Sequence, residues 1–204
     1  MKIECFNIGQ LGTNCYCVSG EDYAFIIDPA DVDDAVLDFA KANKEKKYKY
    51  ILLTHCHIDH IIGTEAVKEI WNCPVVISES DAKALMQPEY NLSRLIFRED
   101  FCVYADLTVK DKDKLSLGTE SILVLATPGH TPGSVCYIFG DNMFSGDTLF
   151  KGTIGRTDFP RSNQSDMLNS LSILSKLETD YKVYPGHEDP TTLFYEKKYN
   201  PFMR

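Results

Sequence analysis

All five histidines of this chain fall in three short segments, and the first, His55-Cys56-His57-Ile58-Asp59-His60, holds three of them within six residues. Histidine is the commonest metal ligand and titrates near neutrality, so its confinement to candidate ligand loops points to metal chemistry. His55 and His57, two apart, emerge on one side of an extended segment and can grip the same ion. Asp59 and His60 follow as a helix begins, point elsewhere, and can hold a neighbouring ion. The remaining candidates each follow an expected strand: His130 after Thr127-Pro128-Gly129, Asp147 after Ser145-Gly146, and His187 after Tyr184-Pro185-Gly186. A glycine before a ligand lets the backbone turn sharply and approach an ion, while the prolines stiffen the loop. Asp147 adds a carboxylate able to bridge two ions, and the spacing implies two metals.

Strand ends must deliver these side chains. Strands are expected at residues 3–6, 15–18 and 23–27, separated by the turns Gly12-Thr13-Asn14 and Ser19-Gly20. A helix is expected over 31–43 with Asp31 as N-cap, then an apolar strand over 48–53 that runs into the histidine segment. A helix over 64–71 and a strand over 75–78 follow, which sets the first ligand loop between a strand end and a helix start, where α/β proteins gather ligand sites. Residues 80–113 form an excursion, with a short helix over 80–86 and the aromatics Phe97, Phe101 and Tyr104 either overhanging a site or packing on the body. Strands resume at 121–126, 134–139 and 142–145, the last two joined by a turn at Gly140-Asp141. A helix over 162–177, capped by Ser162 or Ser165, precedes a strand over 181–184 and a tail that is helical from Thr191.

The 204 residues, 44% hydrophobic and 25% charged, suit one α/β domain over 1–204 with a packed core. No apolar run near the start resembles an export signal and none is long enough for a membrane span, so a soluble cytoplasmic protein is expected, without a membrane partner. Seven cysteines, an odd number, are then expected as reduced and mostly buried thiols. A net charge of −9 repels a phosphate backbone, so nucleic acid is not an expected partner, whereas a small-molecule substrate is. The basic run around Lys44-Glu45-Lys46-Lys47 is interrupted by acid and is expected to be a solvated helix-to-strand turn. The sequence sets no oligomeric state.

Over residues 54 to 187 the ordered set of His-x-His-x-Asp-His, then His130, Asp147 and His187, resembles the signature of the metallo-β-lactamase fold superfamily. The resemblance implies an α/β fold, a four-layered αββα sandwich of two mixed β-sheets flanked by helices, with the site along one edge. It also implies a first ion on His55, His57 and His130, a second on Asp59, His60 and His187, and Asp147 bridging them. Asp28 is similar to the family's early aspartate, which braces a loop or orients a ligand imidazole. Cys56 occupies a variable position of the motif and is expected to be a filler, with a thiolate ligand as the minor alternative.

Such a site implies hydrolysis. Two divalent ions, with zinc expected first and iron or manganese also suited to the donors, would lower the pKa of a bridging water and supply hydroxide. Asp59 would be catalytic by accepting that water's hydrogen bond, and a thiolate leaving group would suit the site. The stretch Gly146-Asp147-Thr148-Leu149-Phe150 and the short length resemble the single-domain glyoxalase II-like (hydroxyacylglutathione hydrolase-like) group, which implies cleavage of a thioester such as S-lactoylglutathione. Arg156 falls where classical members carry a basic residue that holds glutathione, so it is the expected substrate contact; the structural alternative is a loop arginine paired to Asp158. Asp158 and Asp189 stand where those members carry tyrosines, which leaves the thiol carrier open. A mononuclear iron persulfide dioxygenase and a lactone or lactam hydrolase are the alternatives within the superfamily.

Overall fold

Residues two apart on a strand share a face, and the apolar strands of this chain bury both faces. In the computed structural model, which describes residues 1–204, that alternation builds three separate hydrophobic clusters between four layers. The first half supplies β1 (Lys2–Ile8), β2 (Thr13–Ser19), β3 (Tyr23–Ile27), α1 (Asp34–Ala42), β4 (Tyr48–Leu52), α2 (Thr64–Trp71), β5 (Val75–Ser78), α3 (Glu79–Ala82), α4 (Ser93–Ile96) and β6 (Leu107–Val109). Its sheet runs β1-β2-β3-β4-β5-β6, antiparallel up to β3 and parallel from there on.

The second half supplies β7 (Lys114–Leu117), β8 (Glu120–Ala126), β9 (Val135–Phe139), β10 (Asn142–Gly146), the small hairpin of β11 (Leu149–Phe150) and β12 (Thr153–Ile154), α5 (Gln164–Ser175), β13 (Lys182–Pro185), β14 (Thr191–Thr192) and α6 (Leu193–Tyr199). Its sheet runs β14-β13-β10-β9-β8-β7 and is antiparallel except between β10 and β13. The expected four-layered αββα sandwich of two mixed sheets is therefore present.

The alternation can be followed residue by residue. On β2, Cys15 and Cys17 face α1 and α2, while Tyr16 and Val18 enter the space between the sheets. On β9, Val135, Tyr137 and Phe139 enter the same space, and Cys136 and Ile138 turn out towards α5. Burying side chains such as Phe25 and Phe144 there contributes about 1.5–3 kcal/mol each. None of the seven cysteines is disulfide-bonded, and no helix is long and apolar enough to cross a membrane.

Three local expectations change. Asp33, not Asp31, caps α1, accepting from Ala35 N at 2.9 Å, because Asp31 turns to its own neighbour Val32 N at 2.7 Å. Asn163 caps α5 in place of Ser162 or Ser165, since the Ser162 hydroxyl is committed to the His130 carbonyl at 2.6 Å. The excursion holds more than its expected short helix. Its end forms β6, which pairs with β5 as the sheet's edge, a non-local contact that no local pattern announces.

Candidate metal centre

Four strands of the two sheets end towards one place. The chain leaves β4 through Leu53 and Thr54 into His55, and a 3-10 turn over Ile58–His60 then redirects Asp59 and His60. His130 follows β8, Asp147 follows β10, and His187 follows β13. All seven candidate ligands converge, and except for His187 each is buried.

Their ligating atoms form three overlapping sets, His55 with His57 and His130, Asp59 with His60 and His187, and His55 with His60 and Asp147, each within 4.8 Å. His57 Nδ1 and His130 Nε2 face one another at 2.9 Å. Asp147 reaches both halves, with Oδ1 3.4 Å from His60 Nε2 and Oδ2 3.4 Å from His130 Nε2. His187 Nε2 lies 3.3 Å from Asp59 Oδ2. Nitrogen and oxygen ligands about 2.0–2.2 Å from a tetrahedral ion stand roughly 3.3 Å apart, which these spacings bracket.

The donors also fit ions by what they lack. His55 Nε2, His60 Nε2 and Asp147 Oδ1 are buried and have no hydrogen-bond partner. Leaving such atoms unsatisfied costs about 1–3 kcal/mol each, a cost that a shared cation removes. Imidazole and carboxylate donors in this number suit two divalent ions.

Neighbouring groups fix which imidazole nitrogen is free. Asp28, held at φ 51° just past β3, accepts from His60 Nδ1 at 2.9 Å and from Thr54 N and Oγ1 at 2.8 and 2.7 Å. His130 Nδ1 donates to the Arg156 carbonyl at 2.8 Å. With Nδ1 donating, Nε2 of each ring presents its lone pair to the centre. Gly186 is required by space, because a Cβ there would sit 2.3 Å from Asp147 Oδ1.

The electrostatics divide the site. Burial, then the neighbouring His60, holds His55 far below its ordinary pKa, and burial followed by His130 does the same to His57. Burial also opposes a charge on His60, but Asp59, Asp147 and Asp28 outweigh it and push the ring up to about 10. His187 is raised against burial by its hydrogen bond to Asp59 and by Asp147. Burial would raise the Asp59 carboxyl, yet His60 and His187 hold it well below the usual carboxylate range.

A cleft of about 220 Å³ opens onto His57, Asp59, His130, Asp147 and His187, with walls of Leu11, Leu92, Ile96, Phe150, Ile154 and Phe159. Leu92 and Ile96 belong to the excursion, so part of it overhangs the site, whereas Phe97 and Phe101 pack on the helix-side core and Tyr104 is exposed. Arg156 stands in the cleft wall. Its guanidinium forks onto Asp158 at 2.8 and 2.9 Å and lies 4.2 Å over the Phe159 ring. Cys56 is buried with its thiol towards the Tyr90 carbonyl, and burial pushes its pKa up, so it stays outside the ligand sets.

Some supporting residues carry no sequence signal. Thr13 and Asn14, expected in a turn, open β2 instead. Thr13 Oγ1 donates to Asp59 Oδ2 at 3.2 Å. Asn14 donates through N to Gly186 O at 2.7 Å and through Nδ2 to the Pro185 and Glu188 carbonyls at 3.1 and 2.9 Å, so it clamps the His187 loop. Tyr16 Oη joins at 2.7 Å from Pro185 O. Thr and Asn are ordinary turn residues, and the partner of Thr13 lies 46 positions away and those of Asn14 more than 170, so only the fold reveals the role.

Fold, ligand order and family model agree. The metallo-beta-lactamase superfamily model matches residues 8–187, and the chain belongs to that superfamily. A probable metallo-hydrolase of Streptococcus pyogenes serotype M6 is 37% identical over 200 residues, covering 94% of this chain and 86% of that one. The crystal structure of the BLEG-1 B3 metallo-beta-lactamase superposes with a TM-score of 0.89 at 31% identity over 99% of each chain. A protein designated TTHA1623, crystallised in a di-iron-bound form, superposes with a TM-score of 0.84 at 30% identity over 98% of this chain and 99% of that one.

Proposed function

We propose that this protein is a dinuclear metal-dependent hydrolase that cleaves thioesters, S-lactoylglutathione among the candidates. The observation that carries the choice of bond is the commitment of all five histidines to the metal cluster, in a cleft whose remaining wall is apolar apart from Arg156. No free acid faces the cleft to protonate a leaving group. An amine or alkoxide needs that proton, whereas a thiolate, whose parent thiol has a pKa of about 8.5, departs without it.

His55, His57 and His130 would hold one ion, Asp59, His60 and His187 the other, and Asp147 would reach both. Two such ions would activate a shared water and polarise the scissile carbonyl. Asp59 orients the water by accepting its hydrogen bond while Thr13 steadies the carboxylate, and its depressed pKa keeps it an acceptor. The apolar walls exclude bulk water and receive the acyl group, and Arg156 meets the carrier at the cleft mouth by exchanging Asp158 for a substrate carboxylate. Zinc is the first choice for these nitrogen and oxygen donors, and the di-iron form of a similar protein makes iron its rival. Seven unpaired thiols suit the reducing cytoplasm.

Elemental analysis of the purified protein, paired with a panel of thioesters, oxygen esters, lactones and β-lactams, tests the reading. Two ions per chain and turnover confined to thioesters are expected. Preferential opening of a lactone or lactam, or oxygen uptake with a persulfide in place of thioester turnover, would overturn it.

A further inference from the structure

Both loops that carry the first ion's ligands are tied to one buried carboxylate, Asp81. It sits on α3 at the entrance to the excursion, and its side chain has no solvent exposure. Asp81 Oδ2 accepts from Cys56 N at 3.2 Å, between His55 and His57, and from Thr131 Oγ1 at 2.6 Å, directly after His130. Its Oδ1 accepts from Gly133 N at 3.0 Å and has Arg161 Nη1 at 3.8 Å. The excursion also takes Ile58 N onto the Asn91 carbonyl at 2.8 Å. The backbone N–H groups on both sides of His57 are thus anchored in it.

From this geometry we infer that Asp81 is a positioning residue that sets the spacing between His57 and His130, and hence the affinity for the first ion but not the second. The inference rests on the reading that His55, His57 and His130 hold one ion. A buried carboxylate that accepts three N–H and O–H bonds is expensive to place unless its donors are fixed, so each donor holds the others. The fit is close: a Cβ on Gly133 would come 2.5 Å from Asp81 Cγ, so the second loop can approach only as glycine. Asp28 plays the corresponding part for His60, on the other half of the site. No hydrogen bond or ion pair joins Asp81 to Asp59, His60 or His187.

The test is the metal affinity of the purified protein, by chelator competition and ions per chain with zinc as the probe, for wild type, Asp81→Asn, His187→Ala and their combination. Asparagine keeps the shape but turns one acceptor into a donor that opposes Gly133 N or Thr131 Oγ1. Groups that orient metal ligands change affinity by about 10–100-fold, so Asp81→Asn should weaken one ion by that factor and leave the other unchanged. The combination with His187→Ala should weaken both. Two ions held by Asp81→Asn with wild-type affinity would overturn the inference, as would equal weakening of both with native circular dichroism. If Asp81→Asn does not fold, Thr131→Val, which removes one donor, decides in its place: unchanged first-ion affinity overturns the inference and selective weakening supports it. A wild type that binds no ion would overturn the parent reading as well, so the two failures are distinguishable.

Discussion

Asp28 Oδ2 accepts from His60 Nδ1 at 2.9 Å, and the same carboxylate takes both Thr54 N and Thr54 Oγ1. One buried side chain therefore fixes the tautomer of a ligand ring and the exit of β4 towards His55. Asparagine tolerates the left-handed φ of 51° at this position, so Asp28→Asn isolates the charge and one acceptor site from the backbone. We expect affinity for the ion at His60 to fall by about 10–100-fold. Stability in urea should fall by about 1–3 kcal/mol as one buried donor loses its acceptor. Unchanged metal affinity in chelator competition would show that Asp28 only braces the loop.

Gly186 separates β13 from His187 with no room for a side chain, since a Cβ would meet Asp147 Oδ1 at 2.3 Å and His60 Cε1 at 2.7 Å. Both obstacles belong to the cluster itself. Gly186→Ala must displace Asp147 or the His187 loop, which is also pinned by Asn14 and Tyr16. The expected result is loss of at least one ion per chain by elemental analysis and a lower melting temperature, with far-UV circular dichroism preserved. Retention of two ions would mean that the loop yields instead.

Arg156 and Asp158 are both exposed and pair bidentately beside the cleft, so their contact adds little to stability. Removing either charge should leave the melting temperature unchanged. If Arg156 exchanges Asp158 for a carboxylate on the thiol carrier, Arg156→Ala raises KM for glutathione thioesters with kcat nearly constant. Asp158→Asn frees the guanidinium and should lower that KM. Thioesters of uncharged thiols should respond to neither change, and a kcat loss common to all substrates would place Arg156 in the chemistry rather than in carrier recognition.

The seven candidate ligands, which the fold brings together, are legible because metal chemistry demands particular residue types at short spacings, and β3, α2 and β5 are legible from local apolar pattern and have the expected bounds. What the sequence concealed is of one physical kind. The edge strand β6, the clamp of Asn14 on the His187 loop and the anchoring by Asp81 all depend on partners far along the chain. Asp81 in Ser-Asp-Ala looks like any helix-start acid, and only its lack of exposure among three donors marks it out. Ser162 illustrates the converse, a good cap residue by type whose hydroxyl a ligand loop had already claimed.

The two halves of the centre should differ in how metal binding depends on pH. Burial and neighbouring rings hold His55 and His57 far below their ordinary pKa, so near neutrality both already present free nitrogens. His60 is pushed up to about 10, and His187 is raised too, so these rings keep protons that an incoming ion must displace. A group whose pKa is raised holds its proton until pH climbs through the raised value; metal and proton therefore compete at His60 below about 10. Each displaced proton makes affinity rise about tenfold per pH unit. Between pH 6.5 and 8.5, zinc affinity at the Asp59, His60 and His187 site should climb at least that steeply, and more steeply than at the site where His55 and His57 already present free nitrogens. Calorimetry in buffers of different ionisation enthalpy counts the released protons, and His187→Ala leaves the less pH-dependent site to be measured alone. Equal proton release at both ions would sink the electrostatic division of the centre while leaving its ligand set intact.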